Sequence, residues 1–296
     1  MITLSVVIPV KNGERYLTEL LDAVVREGVD EILVIDSGSE DQSVRLARHA
    51  GARVIEIDMH EFGHGRTRNL GAEETSGDLI AFLTQDATPV EGWASALREA
   101  FTLDPRVGAA FGPHLPRPGS SPMVARELLE FFAGFSHSGD PVVQRPPDPT
   151  FLSNANACYS RECWSEVRFR DLEYAEDQAF GKDMFNAGWW KVYHPRAAVL
   201  HSHDYSTPNF MRRYFEEYRG LRTTMGHVEP WPGWRTPRAV TQAVRSDLRF
   251  VAPGSRRTQL VKWGMRSAAH HGGRALIAPL GSRSGSLPLG LRQRLS

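Results

Sequence analysis

Between Leu4 and Asp86 four short apolar runs alternate with three segments of helical period, and that rhythm leaves few folds open. Leu4-Ser5-Val6-Val7-Ile8-Pro9-Val10 reads as a buried strand. Leu17, Leu20, Leu21 and Val24 then recur at i, i+3, i+4 and i+7, the stripe of a helix lying on a sheet. Glu31 to Asp36 is a second strand turned by Ser37-Gly38-Ser39, a helix from about Asp41 to Ala50 stops at Gly51, and Arg53 to Ile57 is a third strand. A helix over Arg66 to Thr75 leads to the fourth strand, Asp78 to Thr84, which runs into Gln85-Asp86 with Pro89 just beyond. Strands separated by helices on short connections predict an α/β fold with a parallel sheet. Open sheets of that kind hold their ligands outside the carboxyl ends of the strands, where Asp36 and Asp86 stand.

The pattern is mixed from Glu91 on. A helix near Gly92 to Leu103, a strand at Val107 to Phe111, a helix over Met123 to Phe135 and a proline-rich loop from Pro141 to Pro149 follow, the loop long enough for a mobile flap. Thr150 to Tyr159 reads as a strand, Glu176 to Ala187 as a helix closed by Gly188, Ala197 to Leu200 as extended, and Pro208 to Gly220 as a helix. The expected division is a main domain over residues 1–205, with a nucleotide-binding half to about 90 and a mixed half beyond it. A helical appendage over 206–275 and a disordered basic tail over 276–296 complete it.

Composition excludes several classes. No stretch approaches the roughly 18 apolar residues of a membrane-spanning helix, and Met1 to Ser5 enters a strand with no basic region or cleavage site, so a cytoplasmic protein is expected. Cys158 and Cys163 are too few for a disulfide scaffold. The zero net charge hides a polarity: residues 1–100 hold 9 Lys/Arg against 18 Asp/Glu, and residues 248–296 hold 9 against none. A basic tail interleaved with Phe250, Leu260, Val261 and Trp263 suits an anionic membrane surface at the inner leaflet, or else is a solvated extension; no nucleic acid is expected.

Several side chains have the chemistry of a site. Asp36 could accept hydrogen bonds from a pyrimidine or ribose, or simply form its turn. Arg68, near the start of its helix in His64-Gly65-Arg66-Thr67-Arg68-Asn69, could bind phosphate oxygens. Asn154 and Asn156, two apart on one strand face, are candidates for acceptor or sugar hydrogen bonds, or ordinary turn or edge residues. His201 and His203 after the extended Ala197 to Leu200 could complete a metal or diphosphate site, or serve structure alone. No Cys or third His falls at a zinc-like interval from them.

Four elements in this order, Asp36-Ser37-Gly38-Ser39, Arg68-Asn69-Leu70-Gly71, Thr84-Gln85-Asp86-Ala87 and Glu176-Asp177, resemble family 2 glycosyltransferases over about residues 3–205. The wording of Thr84 to Ala87 and of His64 to Asn69 is similar to the rhamnosyltransferase branch. The resemblance implies a GT-A type fold, a Rossmann-like, mostly parallel sheet flanked by helices, with a C-terminal helical appendage. It implies Asp177 as catalytic base of an inverting transfer and donor contacts from Asp36, Arg68, Gln85 and Asp86. It also implies that residues 1–205 are the catalytic domain, with an acceptor half beyond about 90, an acceptor contact from Glu176, and a divalent cation, Mg2+ or Mn2+, at Asp86, a site that His201 or His203 could complete. The family's first acidic position of Asp-x-Asp is Thr84 here. The implied donor is dTDP-L-rhamnose and the acceptor a polysaccharide or lipid-linked glycan precursor. A UDP-sugar donor and a non-catalytic nucleotide-binding scaffold are the other readings.

Overall fold

Leu4, Val6, Val7 and Ile8 are wholly buried, as a strand covered on both faces by helices must be. In the computed structural model, which describes residues 2–253, 255–288, 290, 292 and 295, this strand is β1 (Leu4–Val10). It is followed by α1 (Glu14–Arg26), β2 (Glu31–Asp36), α2 (Ser43–His49), β3 (Arg53–Glu56), α3 (His64–Glu73) and β4 (Leu79–Leu83). Then come β5 (Thr88–Pro89), α4 (Trp93–Ala100), β6 (Val107–Phe111), β7 (His114–Leu115), α5 (Pro122–Ala133), β8 (Val142–Gln144) and β9 (Asn156–Ser160). The last elements are α6 (Arg161–Val167), α7 (Glu176–Asn186), β10 (Trp190–Tyr193), β11 (Val199–Leu200), α8 (Thr207–Met225), α9 (Thr236–Val251) and α10 (Arg257–Gly281).

The chain divides into two compact units, Met1–Arg117 with Leu129–His201, and Pro118–Leu128 with Ser202–Ser296. The first holds an eight-stranded sheet in the order β3-β2-β1-β4-β9-β6-β10-β8. β1 pairs in parallel with β2 and β4, and β2 with β3, so their carboxyl ends lie on one edge, with Val10 opposite Asp36. β9 runs antiparallel between β4 and β6. A small second sheet, β5-β11-β7, sets the end of β11 against the start of β5, Leu200 opposite Thr88, and beside β7, Val199 opposite His114.

In the second unit α10 packs on α8 and α9. Asp247, 1% exposed, accepts hydrogen bonds from Arg126 (2.6 Å), Ser267 (2.5 Å) and His271 (2.8 Å), while Glu127 takes Arg274 (2.9 Å). Each carboxylate thereby meets a cation, as the desolvated charge of buried Asp247 requires. Among the described residues no helix is long and apolar enough to cross a membrane.

Some expectations change. The segment read as a flap contributes an edge strand, since β8 pairs antiparallel with β10. The strand expected from Thr150 begins only at Asn156, because Asn156 N–H closes a turn on Ser153 O. Helix α6 went unread although Ser160 caps it, accepting from Cys163 N–H. Residues 276–288 are not a loose tail: Ala278, Pro279 and Gly281 are buried, and Arg283 donates to Glu229 O. A Cβ at Gly281 would stand 2.5 Å from Phe215 O, so the helix passes too close to α8 for any other residue. The remainder of that expectation, at residues 289, 291, 293, 294 and 296, lies outside the described residues. Both cysteines are buried thiols.

Candidate active site

The carboxyl edge of β1, β2 and β4 gathers the first group. Asp36 closes β2 at 2% exposure, and its Oδ1 accepts from Gly38 N–H (3.0 Å) and Ser39 N–H (2.9 Å). Gly38 has φ +85°, which glycine alone adopts without strain. The other oxygen, Oδ2, is buried without a hydrogen-bond partner among the described residues. A buried carboxylate oxygen in that state is expensive. The turn-forming reading of Asp36 is thus seen in its Oδ1, while Oδ2 stays free of any bond to the turn.

Gln85 does not reach outward. Its Oε1 accepts from Lys11 N–H (2.8 Å) and its Nε2 donates to Lys11 O (3.1 Å), a two-point clamp on the loop after β1. Asp86 follows at the turn where Ala87 N–H meets Thr84 O. Its backbone carbonyl is held by Arg117 Nη2 (2.8 Å), which also donates to Thr88 (2.7 Å), while the guanidinium lies 4.4 Å from the Tyr16 ring centre. His201 extends β11, its N–H bonded to Leu115 O, and places Nε2 3.4 Å from Asp86 Oδ1. The carboxylate and imidazole so juxtaposed suit a divalent ion that accepts mixed oxygen and nitrogen ligands. His203 lies past the boundary, in the second unit, where its ring stacks on Tyr205.

The second group surrounds the head of α7. Ala175 takes φ +57° there, an uncommon conformation for a residue with a Cβ, and turns Glu176 and Asp177 into the first helical turn. Glu176, 5% exposed, accepts from Arg68 Nη1 (3.0 Å) and Asn154 Nδ2 (3.0 Å) through one oxygen. Tyr159 OH donates to Asn154 Oδ1 (2.8 Å), and burial, chiefly, holds that phenol well above its ordinary pKa, so it stays a donor and fixes which way the amide points. Asn154 N–H donates to Asp177 Oδ2 (3.0 Å) and Gln178 N–H to Oδ1 (2.8 Å). Burial first, and the neighbouring Glu176 charge second, push the Asp177 carboxyl up to about 7 despite those bonds and Arg68.

Besides Gln85, three more expected contacts are relocated. Arg68, read as a phosphate ligand, is 5% exposed and spends its Nη1 on Glu176 and His64 O, because α3 packs beside α7. Asn154, 1% exposed, precedes β9 and organises the two carboxylates instead of facing an acceptor. Asn156, wholly buried, accepts from Trp93 Nε1 (2.8 Å) and donates to Ala197 O (2.7 Å), a structural brace. Arg117 and Tyr159 went unread, since neither stands in a motif; only tertiary packing brings them here.

The sequence pattern named Glycosyl transferase family 2 matches residues 5–163. The chain is similar to the O-antigen chain rhamnosyltransferase RfbN of Salmonella typhimurium, 31% identical over 72% of this chain and 70% of that protein. It is also similar to the O-antigen chain rhamnosyltransferase WbaN of Salmonella anatum, 29% identical over 63% of this chain and 61% of that one, less than two thirds of its length. Among solved structures, the mannosyltransferase PcManGT from Pyrobaculum calidifontis, in complex with GDP-Man and Mn2+, matches with a TM-score of 0.60 at 16% identity, over 96% of this chain and 86% of that one. Glucosyl-3-phosphoglycerate synthase from Mycobacterium tuberculosis, in complex with UDP, matches at 0.52 and 20% identity, over 78% and 83%. At such identities the structures speak to the fold alone, and that fold is GT-A-like. The chain is a glycosyltransferase and belongs to glycosyl transferase family 2.

Proposed function

We propose that this enzyme transfers L-rhamnose from dTDP-L-rhamnose, with inversion, to a glycan precursor carried on a lipid at the inner, anionic leaflet. The observation that carries the transfer chemistry is Asp177 poised near neutrality beside Glu176. A general base works best when its pKa lies near the operating pH. In this reading Asp177 accepts the proton of the acceptor hydroxyl as its oxygen bonds to the anomeric carbon, and the bond from that carbon to the nucleoside diphosphate breaks on the opposite face. Asp36 Oδ2 receives a hydrogen bond from the nucleotide. Asp86 and His201 hold a divalent cation, whose part is to neutralise charge on the leaving diphosphate. Their mixed donor set supports Mn2+ over Mg2+, for which imidazole is a poorer ligand.

The donor assignment is supported by the two Salmonella rhamnosyltransferases among the relatives. Donor hydrolysis measured over a panel of dTDP-, UDP- and GDP-sugars tests it. Turnover is expected with dTDP-L-rhamnose first. Preference for a UDP-sugar would replace the donor while keeping the enzyme, and hydrolysis of none would leave the donor proposal without support.

A further inference from the structure

We infer that His114 is the positioning residue for His201, fixing which imidazole nitrogen His201 offers to the cation; this rests on the metal reading of Asp86 and His201. The small sheet supplies the arrangement. β7 and β11 run in parallel with Val199 opposite His114, so the His114 ring rises beside the residue that follows β11. The two imidazoles meet edge to face, centres 5.0 Å apart at 89°, with Nδ1 3.4 Å from Nδ1. On its other side His114, 8% exposed, lies against the Phe132 ring at 4.8 Å, which limits its rotation.

Two imidazoles that share an Nδ1-to-Nδ1 hydrogen bond must be opposite tautomers: one nitrogen carries the hydrogen and the other presents its lone pair. His201 Nε2 is the atom beside Asp86, and a metal ligand must offer a lone pair. Neutral His201 then carries its hydrogen on Nδ1 and donates it to His114 Nδ1, leaving His114 protonated at Nε2. A buried acceptor of fixed orientation thus selects the metal-binding tautomer, the outer-shell device by which metal sites set ring geometry and ligand basicity.

The test uses the full chain, dTDP and Mn2+, with Mn2+ affinity read by its free-ion EPR signal. His114→Leu is expected to weaken Mn2+ binding about 10- to 100-fold, while His114→Asn, which keeps an acceptor where Nδ1 stood, stays close to wild type. Affinity for dTDP in EDTA should be the same in all three. A His114→Leu protein that binds Mn2+ as wild type does, or a His114→Asn protein as weak as His114→Leu, overturns the inference. His201→Ala is the control for the underlying reading: unchanged Mn2+ affinity there overturns the metal site itself. For the unaltered protein with Mg2+ and dTDP, nitrogen NMR of labelled histidine should show one ring protonated only at Nδ1 and its neighbour only at Nε2; the reverse assignment at His201 also overturns the inference.

Discussion

Asp177 is a carboxyl group whose surroundings work against its charge, and two opposite consequences follow. Its folded pKa of about 7 exceeds the value of 3.8 it starts from, so the folded state keeps a proton that the unfolded chain has already lost. Stability from this group is therefore greatest below the unfolded value, declines as pH rises through the interval to about 7, and stays lower beyond it. Catalysis by the ionised form runs the other way. We expect kcat/KM to fall tenfold per pH unit below about 7 and to level off above it. Asp177→Asn should cost roughly 10² to 10⁴ in turnover with donor affinity nearly intact. The same variant should melt higher than wild type at pH 8, because it removes a buried charge. A variant with wild-type turnover excludes Asp177 as the base, and one that melts lower contradicts the burial argument.

The elements that carry these residues were legible in the sequence to different degrees, for physical reasons. β1, β2 and β4 are buried strands joined by amphipathic helices, and local periodicity suffices to find them. β5, β7 and β11 are two residues each, too short for any period, yet they bring Asp86, His114 and His201 together. The carboxylates Asp36, Asp86 and Asp177 could be named from motif order, whereas the inward turn of Arg68 and Asn154 depends on how closely α7 approaches the residues before β9. That approach is set by Gly181: a Cβ there would stand 2.1 Å from Thr150 O. Gly181→Ala should push α7 away, stretch the Asn154 N–H to Asp177 bond and destabilise the protein by about 1–3 kcal/mol. Urea unfolding together with transfer rate checks this. Unchanged stability would mean that the helix has slack and that the glycine does not set the site's geometry.

At the scale of the whole molecule, charge is divided as sharply as the fold. The first unit carries 18 Lys/Arg against 29 Asp/Glu, a net of −11, and the second 17 against 6, a net of +11. In the second unit the acid of α9, Asp247, is turned inward, while Arg238, Arg245 and Arg249 line a hollow on the outer face with Gln242. Along α10, Val261, Met265 and Leu276 are each at least 60% exposed and lie within one stripe of the helix. Trp234 is 84% exposed. Cationic and apolar side chains displayed together on these helices fit an anionic membrane surface. Near such a surface each arginine contributes about 1 kcal/mol, so the three on α9 together are worth a factor of about 100 in partitioning. Removing α10 would be a poor test, because Ser267 and His271 on it hold Asp247 in place. Replacing Arg238, Arg245 and Arg249 by Gln leaves those buried bonds intact. The unaltered protein is expected to co-sediment with vesicles containing phosphatidylserine at low salt, to be released at high salt as screening sets in, and to ignore neutral vesicles. The triple variant should remain in the supernatant. Equal binding to neutral and anionic vesicles, or a triple variant that sediments like wild type, would mean that these arginines merely solvate the second unit and that the acceptor is met away from the leaflet.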